Sequence, residues 1–371
     1  MSVNMLMVAG EPSGDALGGT LAEELKRLVP DINMWGFGGS QMDSAGVEIL
    51  TGVDELSVMG FVEVIGHIPE MFRRMTKLAD EAVDRDTCGA VLIDYPGFNL
   101  RLADRLSNRG IPVIYYVSPQ IWAWKASRIN RIKRSVKKMM VILPFEEDIY
   151  HDAGVPVSFV GHPFVDSVVS EGNSTRFLDE FNLHHPLLLL LPGSRLQEVK
   201  RLLPRMIDAY RKLRSRDAEL DCVIVRSPNI PESLYRDIAP AKVITGRSIE
   251  AMFTADAAIC CSGSATLQCA VAGLPHVITY KAGFLSGLIY RSMIKTEFVG
   301  LSNLVACREV APELLQRNAT AAKLARAVSP MIYDSGVRGD IMKNLSRIRE
   351  KLGEKGVSRR LAIEVIEGFG L

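Results

Sequence analysis

Three features of the sequence predict an α/β protein of two Rossmann-like domains facing a cleft. The chain has 371 residues, beyond the size at which one hydrophobic core usually stops growing. Short apolar runs alternate with longer amphipathic segments, the mark of a parallel sheet covered on both faces. The alternation breaks at about residue 172 and then restarts, as if one architecture were used twice.

The elements follow in order. MLMVAG (5–10) reads as a buried strand, LGGTLAEELKRL (17–28) as a helix and MWGFGG (34–39) as a strand. IPEMFRRMTKLADEAV (68–83) places apolar residues three and four apart, which predicts a helix. AVLID (90–94) and IPVIYYVS (111–118) flank the helix LRLADRLSNRG (100–110), and MMVILP (139–144) and VSFVGHP (157–163) are further strands. GNSTRFLDEFNLHHP (172–186) interrupts the rhythm. LLLLLPGSR (187–195) then enters a glycine turn before a long helix, and DCVIV (221–225), AKVIT (241–245), DAAICCSGSAT (256–266) and HVITYK (276–281) continue the strand pattern. The segment from 336 is charged and helical. The expected domains are therefore 1–174 and 175–335, with a helical segment 336–371 that can pack back on the first domain.

Composition narrows the function. Hydrophobic residues make up 47% and charged residues 23% of the chain, so a folded globular protein is expected. Net charge is +1, which gives no global attraction to nucleic acid. The start, MSVNMLMVAGEP, has no basic n-region. No run approaches the roughly 20 apolar residues that span a bilayer. The six cysteines form no C-x-x-C pair and the six histidines no metal spacing, so thiols of a reducing cytoplasm are expected, without zinc or disulfides.

In such sheets ligands bind at the carboxyl ends of the strands, and four of these ends carry unusual residues. GEPSGDALGG (10–19) is neither a Walker A loop nor G-x-G-x-x-G. Gly10 and Gly14 permit a tight turn, Ser13 or Asp15 can cap a helix, and Glu11 suggests contact with a polar substrate. VLIDYPGFN (91–99) carries Asp94 straight after an apolar run. Asp94 is either a turn or capping residue or a general base, its pKa raised by burial toward the value that base catalysis near neutrality requires. LPGSRLQEV (191–199) offers Gly193, Ser194 and Arg195 at a helix start, suited to a diphosphate, unless Ser194 serves only as the cap. CCSGSATLQCAVAGLP (260–275) has small residues that allow close backbone approach, with Gln268 in the following helix, unless they serve helix packing.

Two further stretches suggest surface contacts. KASRINRIKRSVKK (125–138) has seven cationic residues and no acids. Arg128, Arg131 and Arg134 share a helical face, with Lys138 four residues on; a solvated face or an anionic membrane surface would account for them. VMGFVEVIGHIPEMF (58–72), with Met59 and Phe61, is a candidate for lipid contact or for core, as is WAW at 122–124. Asp84 and Asp86 form a D-x-D without an apolar strand before it, so a metal is not expected there.

Taken in order, GEPSGD, VMGFVEV, IDYPGFN, YYVSPQIWAWKASR, LPFE, FVGHP, LPGSR, SGSATLQ and NLVACREVAPELLQ resemble the lipid-A-disaccharide synthase family from about residue 5 to about 365. The resemblance implies a B-type glycosyltransferase fold and an inverting transfer that needs no metal or other cofactor. The donor would be UDP-2,3-diacylglucosamine and the acceptor 2,3-diacylglucosamine 1-phosphate (lipid X). The products would be the β-1′,6-linked lipid A disaccharide 1-phosphate and UDP. It implies Asp94 as the base on the acceptor 6-hydroxyl, Glu11 as an active-site acid, and Asn303 as a nucleotide contact with Glu309 in the same motif. It further implies a Gram-negative source, a peripheral place on the cytoplasmic face of the inner membrane and lipid contact by 58–72 and the basic helix. A homodimer lies within what it allows.

Three positions depart from many relatives. Gly97 stands where a second Asp is common, Gln268 where Glu is common, and Ser302 where Pro is common, which predicts a less rigid loop before Asn303. A UDP-sugar 2-epimerase, which shares the two-domain fold, and a non-catalytic nucleotide-sugar-binding regulator are the alternatives.

Overall fold

A strand whose side chains alternate between two faces, both of them apolar, must be covered by helices on each side. The computed structural model, which describes residues 3–56, 68–122, 128–168, 174–282 and 297–371, builds two such sheets. The first contains β1 (Val3–Ala9), β2 (Ile32–Gly38), β3 (Val47–Gly52), β4 (Thr87–Ile93), β5 (Val113–Tyr116), β6 (Lys138–Val141) and β7 (Val157–Phe159). Its order is β3-β2-β1-β4-β5-β6-β7, and every pair is parallel. The helices between these strands are α1 (Pro12–Leu28), α2 (Ser40–Ser44), α3 (Ile68–Asp84), α4 (Pro96–Ser107), α5 (Arg128–Ser135) and α6 (Pro144–Asp152).

After α7 (Phe164–Val168) and α8 (Ser174–Phe181) the plan repeats. β8 (Leu187–Leu191), α9 (Leu196–Arg214), β9 (Asp221–Arg226), β10 (Lys242–Thr245), α10 (Ser248–Thr254), β11 (Ala257–Cys261), α11 (Ser264–Val271), β12 (His276–Tyr280), α12 (Leu301–Ala306) and β13 (Glu313–Leu315) follow. The order is β10-β9-β8-β11-β12-β13, again parallel throughout. Helices α13 (Ala321–Tyr333), α14 (Ser335–Lys351) and α15 (Val357–Phe369) end the chain.

Alternation sorts the first core. Leu6, Val8, Ala90, Leu92 and Tyr115 point to one face, and Met5, Met7, Val91, Ile93 and Tyr116 to the other. That second face is closed by the end of the chain, because Val357, Leu361, Ala362 and Val365 of α15 lie in the same cluster. Two glycines permit the approach. A Cβ on Gly89 would run into the Phe369 ring, and one on Gly368 would meet Ile114 Cδ1 at 2.7 Å. A Lys138–Glu364 ion pair at 2.5 Å adds a polar tie from β6 to α15.

The compact units are Met1–Pro163 with Glu354–Leu371, and Phe164–Gly353. The breaks drawn from sequence at 174/175 and 335/336 thus fall inside the second unit, and of the C-terminal helices α15 packs on the first unit while α14 stays with the second. The stretch read as a break holds α8. Helix α1 starts at Pro12, several residues earlier than the periodicity indicates, with proline in the first turn where its missing N–H costs nothing. Strands β3 and β13 lack an apolar run because they lie at sheet edges and are only partly buried.

Leu361→Ala should reveal the weight of this C-terminal seal. Loss of a buried leucine side chain costs about 2–5 kcal/mol, so the first unit should unfold at lower urea. An unchanged midpoint would mean that α15 contributes nothing to that face.

Candidate active site

In both sheets the first strand sits inside the sheet, and the chain builds outward from it in both directions. The order reverses between β1 and β4 and again between β8 and β11. A crevice opens at the carboxyl ends at such a switch point. The first holds Gly10, Glu11 and Asp94, since Ala9 pairs with Ile93 and the next residue on each strand leaves the ladder. The second holds the 192–195 and 262–264 turns, since Leu191 pairs with Cys260.

At the first switch point the backbone is strained. Asp94 and Tyr95 have φ of 46° and 49°, a left-handed conformation uncommon outside glycine and held only where surroundings fix it. Here the surroundings do. The Asp94 N–H donates to the Tyr116 carbonyl at 2.8 Å. The Asp94 carbonyl accepts from Tyr115 Oη at 2.6 Å and from Asn99 Nδ2 at 2.9 Å. Asn99 is fully buried, and its amide also reaches the Ile93 carbonyl at 3.1 Å.

Tyr95, not Asp94, is the N-cap residue of α4, so the capping alternative for Asp94 is not taken. Burial raises the Asp94 carboxyl to about 6, the charge of Glu11 adds to the rise, and the Tyr95 N–H opposes it. Gly97 is open: a Cβ there would meet nothing within 4 Å, so its lack of a side chain is no packing requirement.

Glu11 occupies the N-cap position of α1, yet its side chain makes no capping bond and is exposed. Neither Gly10 nor Gly14 has positive φ, so neither is there for a left-handed backbone. Gly10 instead makes room for the Tyr95 ring, which a Cβ would strike. Asp15 caps a different helix from the expected one. Its buried carboxylate accepts from the N–H groups of Gly39 (2.7 Å), Gln41 (3.1 Å) and Met42 (3.1 Å) at the start of α2.

The second switch point frames a cavity of 370 Å³ lined by Gly193, Ser194, Arg195, Glu198, Gly263 and Gln268, among others. Arg195 is the N-cap residue of α9, and its side chain is 79% exposed. Ser194 is exposed and is not the cap. Glu198 does that work: its carboxylate accepts from the Arg195 N–H at 3.3 Å and from the Arg195 guanidinium at 3.2 Å. Gly193 has φ of 111°, and a Cβ there would meet Glu198 Oε2 at 2.6 Å. The capping box runs from Arg195 to Glu198, and without Ser or Thr at its first position it leaves no capping signature in the sequence.

Asn303, expected as a nucleotide contact, has its amide engaged within its own loop. It is fully buried, and its Nδ2 donates to the Ala311 carbonyl (2.8 Å) and to Glu313 (2.9 Å). Its Oδ1 accepts from the N–H groups of Val310 (2.8 Å) and Ala311 (2.9 Å). Both donor hydrogens and both lone pairs are spent on the frame. Glu313, missed from sequence, accepts from the Val299 and Gly300 N–H groups at 3.0 and 2.9 Å. Glu309 is exposed beyond α12. Ser302 is no loosened loop residue either. It lies buried in α12 and bonds His276 Nε2 at 3.1 Å, a hydroxyl contact that proline could not make.

The cationic face of α5 is partly spent as well. Arg131 pairs with Asp104 at 3.1 Å, Arg128 is half-buried, and Arg134 is exposed. Lys138 is not on this helix but on β6. Met59 and Phe61 lie outside the described residues.

Gly10→Ala tests the first switch point. The new methyl must displace the Tyr95 ring and with it the Asp94 turn, so turnover should fall roughly tenfold or more, since misplacing a reacting group by 1 Å can cost about 10²-fold. Steady-state rates on the purified variant, checked for native circular dichroism, decide this; wild-type turnover would sever Tyr95 from the site.

The family described as lipid-A-disaccharide synthetase matches residues 5–364. A lipid-A-disaccharide synthase of Myxococcus xanthus is 39% identical over 370 residues, covering 98% of this chain and 97% of the relative. One of Nitrosococcus oceani is 38% identical over 378 residues, with the same coverage. Among solved structures, a putative UDP-N-acetylglucosamine 2-epimerase from Listeria monocytogenes superposes with a TM-score of 0.70 at 8% identity, covering 100% of this chain and 97% of the other. The calicheamicin glycosyltransferase CalG4 gives 0.63 at 15%, covering 99% and 98%. At such low identity these structural likenesses speak for the fold alone.

Proposed function

The chain belongs to the lipid-A-disaccharide synthase family, and from that premise we propose that its first unit supplies the base and its second the leaving-group site of one inverting sugar transfer. The enzyme is a glycosyltransferase of lipid A synthesis. The substrates we infer are UDP-2,3-diacylglucosamine as donor and 2,3-diacylglucosamine 1-phosphate as acceptor. The observation that carries the reading is Asp94, a carboxylate at a switch point whose burial raises it to about 6.

Asp94 takes the proton of the acceptor 6-hydroxyl as that oxygen attacks the anomeric carbon from the face opposite UDP. The new C–O bond forms, the bond to the diphosphate breaks, and the configuration inverts. A base with a pKa near 6 is ionised at neutral pH and basic enough to assist. Glu11 keeps Asp94 from ionising at lower pH and is placed to hold a sugar hydroxyl. Negative charge gathers on the departing diphosphate, and Arg195, oriented by Glu198, with the amino end of α9 opposes it. Gly193 and Gly263 keep the walls of the cavity low enough for a phosphate to reach backbone. Gln268, uncharged, offers a hydrogen bond to the nucleotide.

Both substrates carry acyl chains, so the enzyme works at a membrane surface, and we place it on the cytoplasmic face. No described helix is long and apolar enough to cross a bilayer. We assign the exposed Arg134 of α5 to anionic lipid.

Asp94→Asn keeps a residue that tolerates left-handed backbone but removes the base. Formation of disaccharide from defined diacyl substrates should fall by roughly 10²–10⁴-fold while the calorimetric Kd for UDP stays within about twofold. Undiminished turnover would reject the base. In the wild type, Asp94 is protonated below about pH 6, so kcat/KM should drop tenfold per unit on the acid side and level off above it. Arg195→Ala loses one charge-assisted contact and should weaken UDP by about tenfold to a hundredfold; an unchanged Kd removes it from the diphosphate site. An epimerase would convert a UDP-sugar with no acceptor present, and no such conversion is expected.

A further inference from the structure

Beside the Asp94 turn the structure buries a second acid that the transfer does not use. Glu146 lies in the first turn of α6, after β6, and is 2% exposed. Its Oε1 accepts from the Trp122 indole N–H at 3.2 Å and its Oε2 from the Leu143 N–H at 3.3 Å. Nearby, the Ser118 hydroxyl donates to the Pro119 carbonyl at 3.0 Å and lies 2.9 Å from Tyr150 Oη. Trp122 also packs edge-on against Phe145, the residue before Glu146, at 5.3 Å between ring centres. Trp122, the side-chain partner of Glu146, belongs to the segment that leaves β5. This segment starts at Val117, a β-branched residue at φ of 65°, where such a side chain is a genuine outlier. The two residues before it, Tyr115 and Tyr116, are those that bond the Asp94 backbone.

We propose that Glu146 is a positioning residue for the transfer: through Trp122 it fixes the strained segment 117–122, and thereby the strand end that braces Asp94. A glutamine could hold an indole N–H without burying a charge. A carboxylate does more, because its two oxygens accept from Trp122 and Leu143 together. Burial raises Glu146 to about 7, against the hydrogen bonds that favour its charged form. The ionised form satisfies both donors. The neutral form carries a hydrogen that needs an acceptor, and the Ser118 and Tyr150 hydroxyls can rotate to accept it.

The ionisable groups around this cluster are Tyr150 of α6 and Tyr115 of β5; Tyr115 in turn faces Asp94 and Arg128. On the same helix Glu147 is engaged by the Phe159 N–H at 3.2 Å. Beyond β7, His162 is kept neutral by burial, its pKa lowered to about 3.

The inference rests on the proposed transfer for its catalytic consequence alone, so the test uses two independent readouts on the full chain. With tryptophan labelled by ¹⁵N, the three indole N–H signals are followed against pH, and Trp122→Phe identifies the one concerned. Turnover is measured as UDP release with the diacyl donor and acceptor. The Trp122 signal should titrate near pH 7 in the wild type and lie flat in Glu146→Gln. Glu146→Ala and Trp122→Phe should each lower kcat at least tenfold with the donor KM within about twofold. Glu146→Gln, which keeps an acceptor for the indole, should recover kcat to within about threefold at pH 8. Should Glu146→Ala not fold, the other two variants still decide. A Trp122 signal that does not respond to pH, or full kcat in Trp122→Phe, overturns the proposal. A wild type that forms no disaccharide while its indole titrates would reject the transfer and keep the clamp.

Discussion

Everything at the site depends on one topological constraint. A parallel sheet that starts in its own interior must grow first to one side and then to the other. Helices leaving adjacent strands at the reversal depart to opposite faces, and nothing fills the gap between their first turns. The chain meets this constraint twice, so it has two gaps ready for ligands before any particular side chain is considered. What distinguishes them is the chemistry placed at each. The first receives acids, the second an arginine, glycines and a helix amino end.

The acids are held by a rigid setting. Asp94 and Tyr95 lie in a backbone conformation that costs free energy, and Tyr115, Tyr116 and Asn99 hold them there. Such a turn aims the carboxylate, which the Tyr95 N–H helps to hold. The side chain remains the one part of the residue with chemistry to spare, and the carbonyl and N–H are both taken. The second gap follows the same logic in reverse: Glu198 is buried so that Arg195 can stay exposed and still be directed. In each unit, buried groups carry the geometry and a more accessible group is left at the crevice.

How far the sequence foretold this depends on what kind of fact is asked for. Buried parallel strands show in the sequence because both faces must be apolar, so LLLLL or MLMVA can hardly be anything else. Asp94 was visible for the same reason, as an acid where an apolar run stops. Edge strands β3 and β13 were not, since a half-exposed strand imposes no such pattern. The same limit hides the setting of Asn303, whose partners at Val310, Ala311 and Glu313 meet it only once the loop closes. The basic face of α5 looked unopposed because Asp104 comes from another helix. A sequence shows which groups are present along the chain; which of them are already engaged depends on contacts across it.

The return of α15 to the first unit has a consequence for biogenesis. Its residues are translated after the whole of the second unit, yet they complete the face made by Met5, Met7 and Val91, which are translated before it. Domains made during translation ordinarily fold in the order of their synthesis. Here Leu21, Ala22 and Leu25 of α1 cover part of that face early, and the part that α15 covers must wait until the second unit has been translated. The order of completion is therefore inverted: the unit begun first is finished after the other.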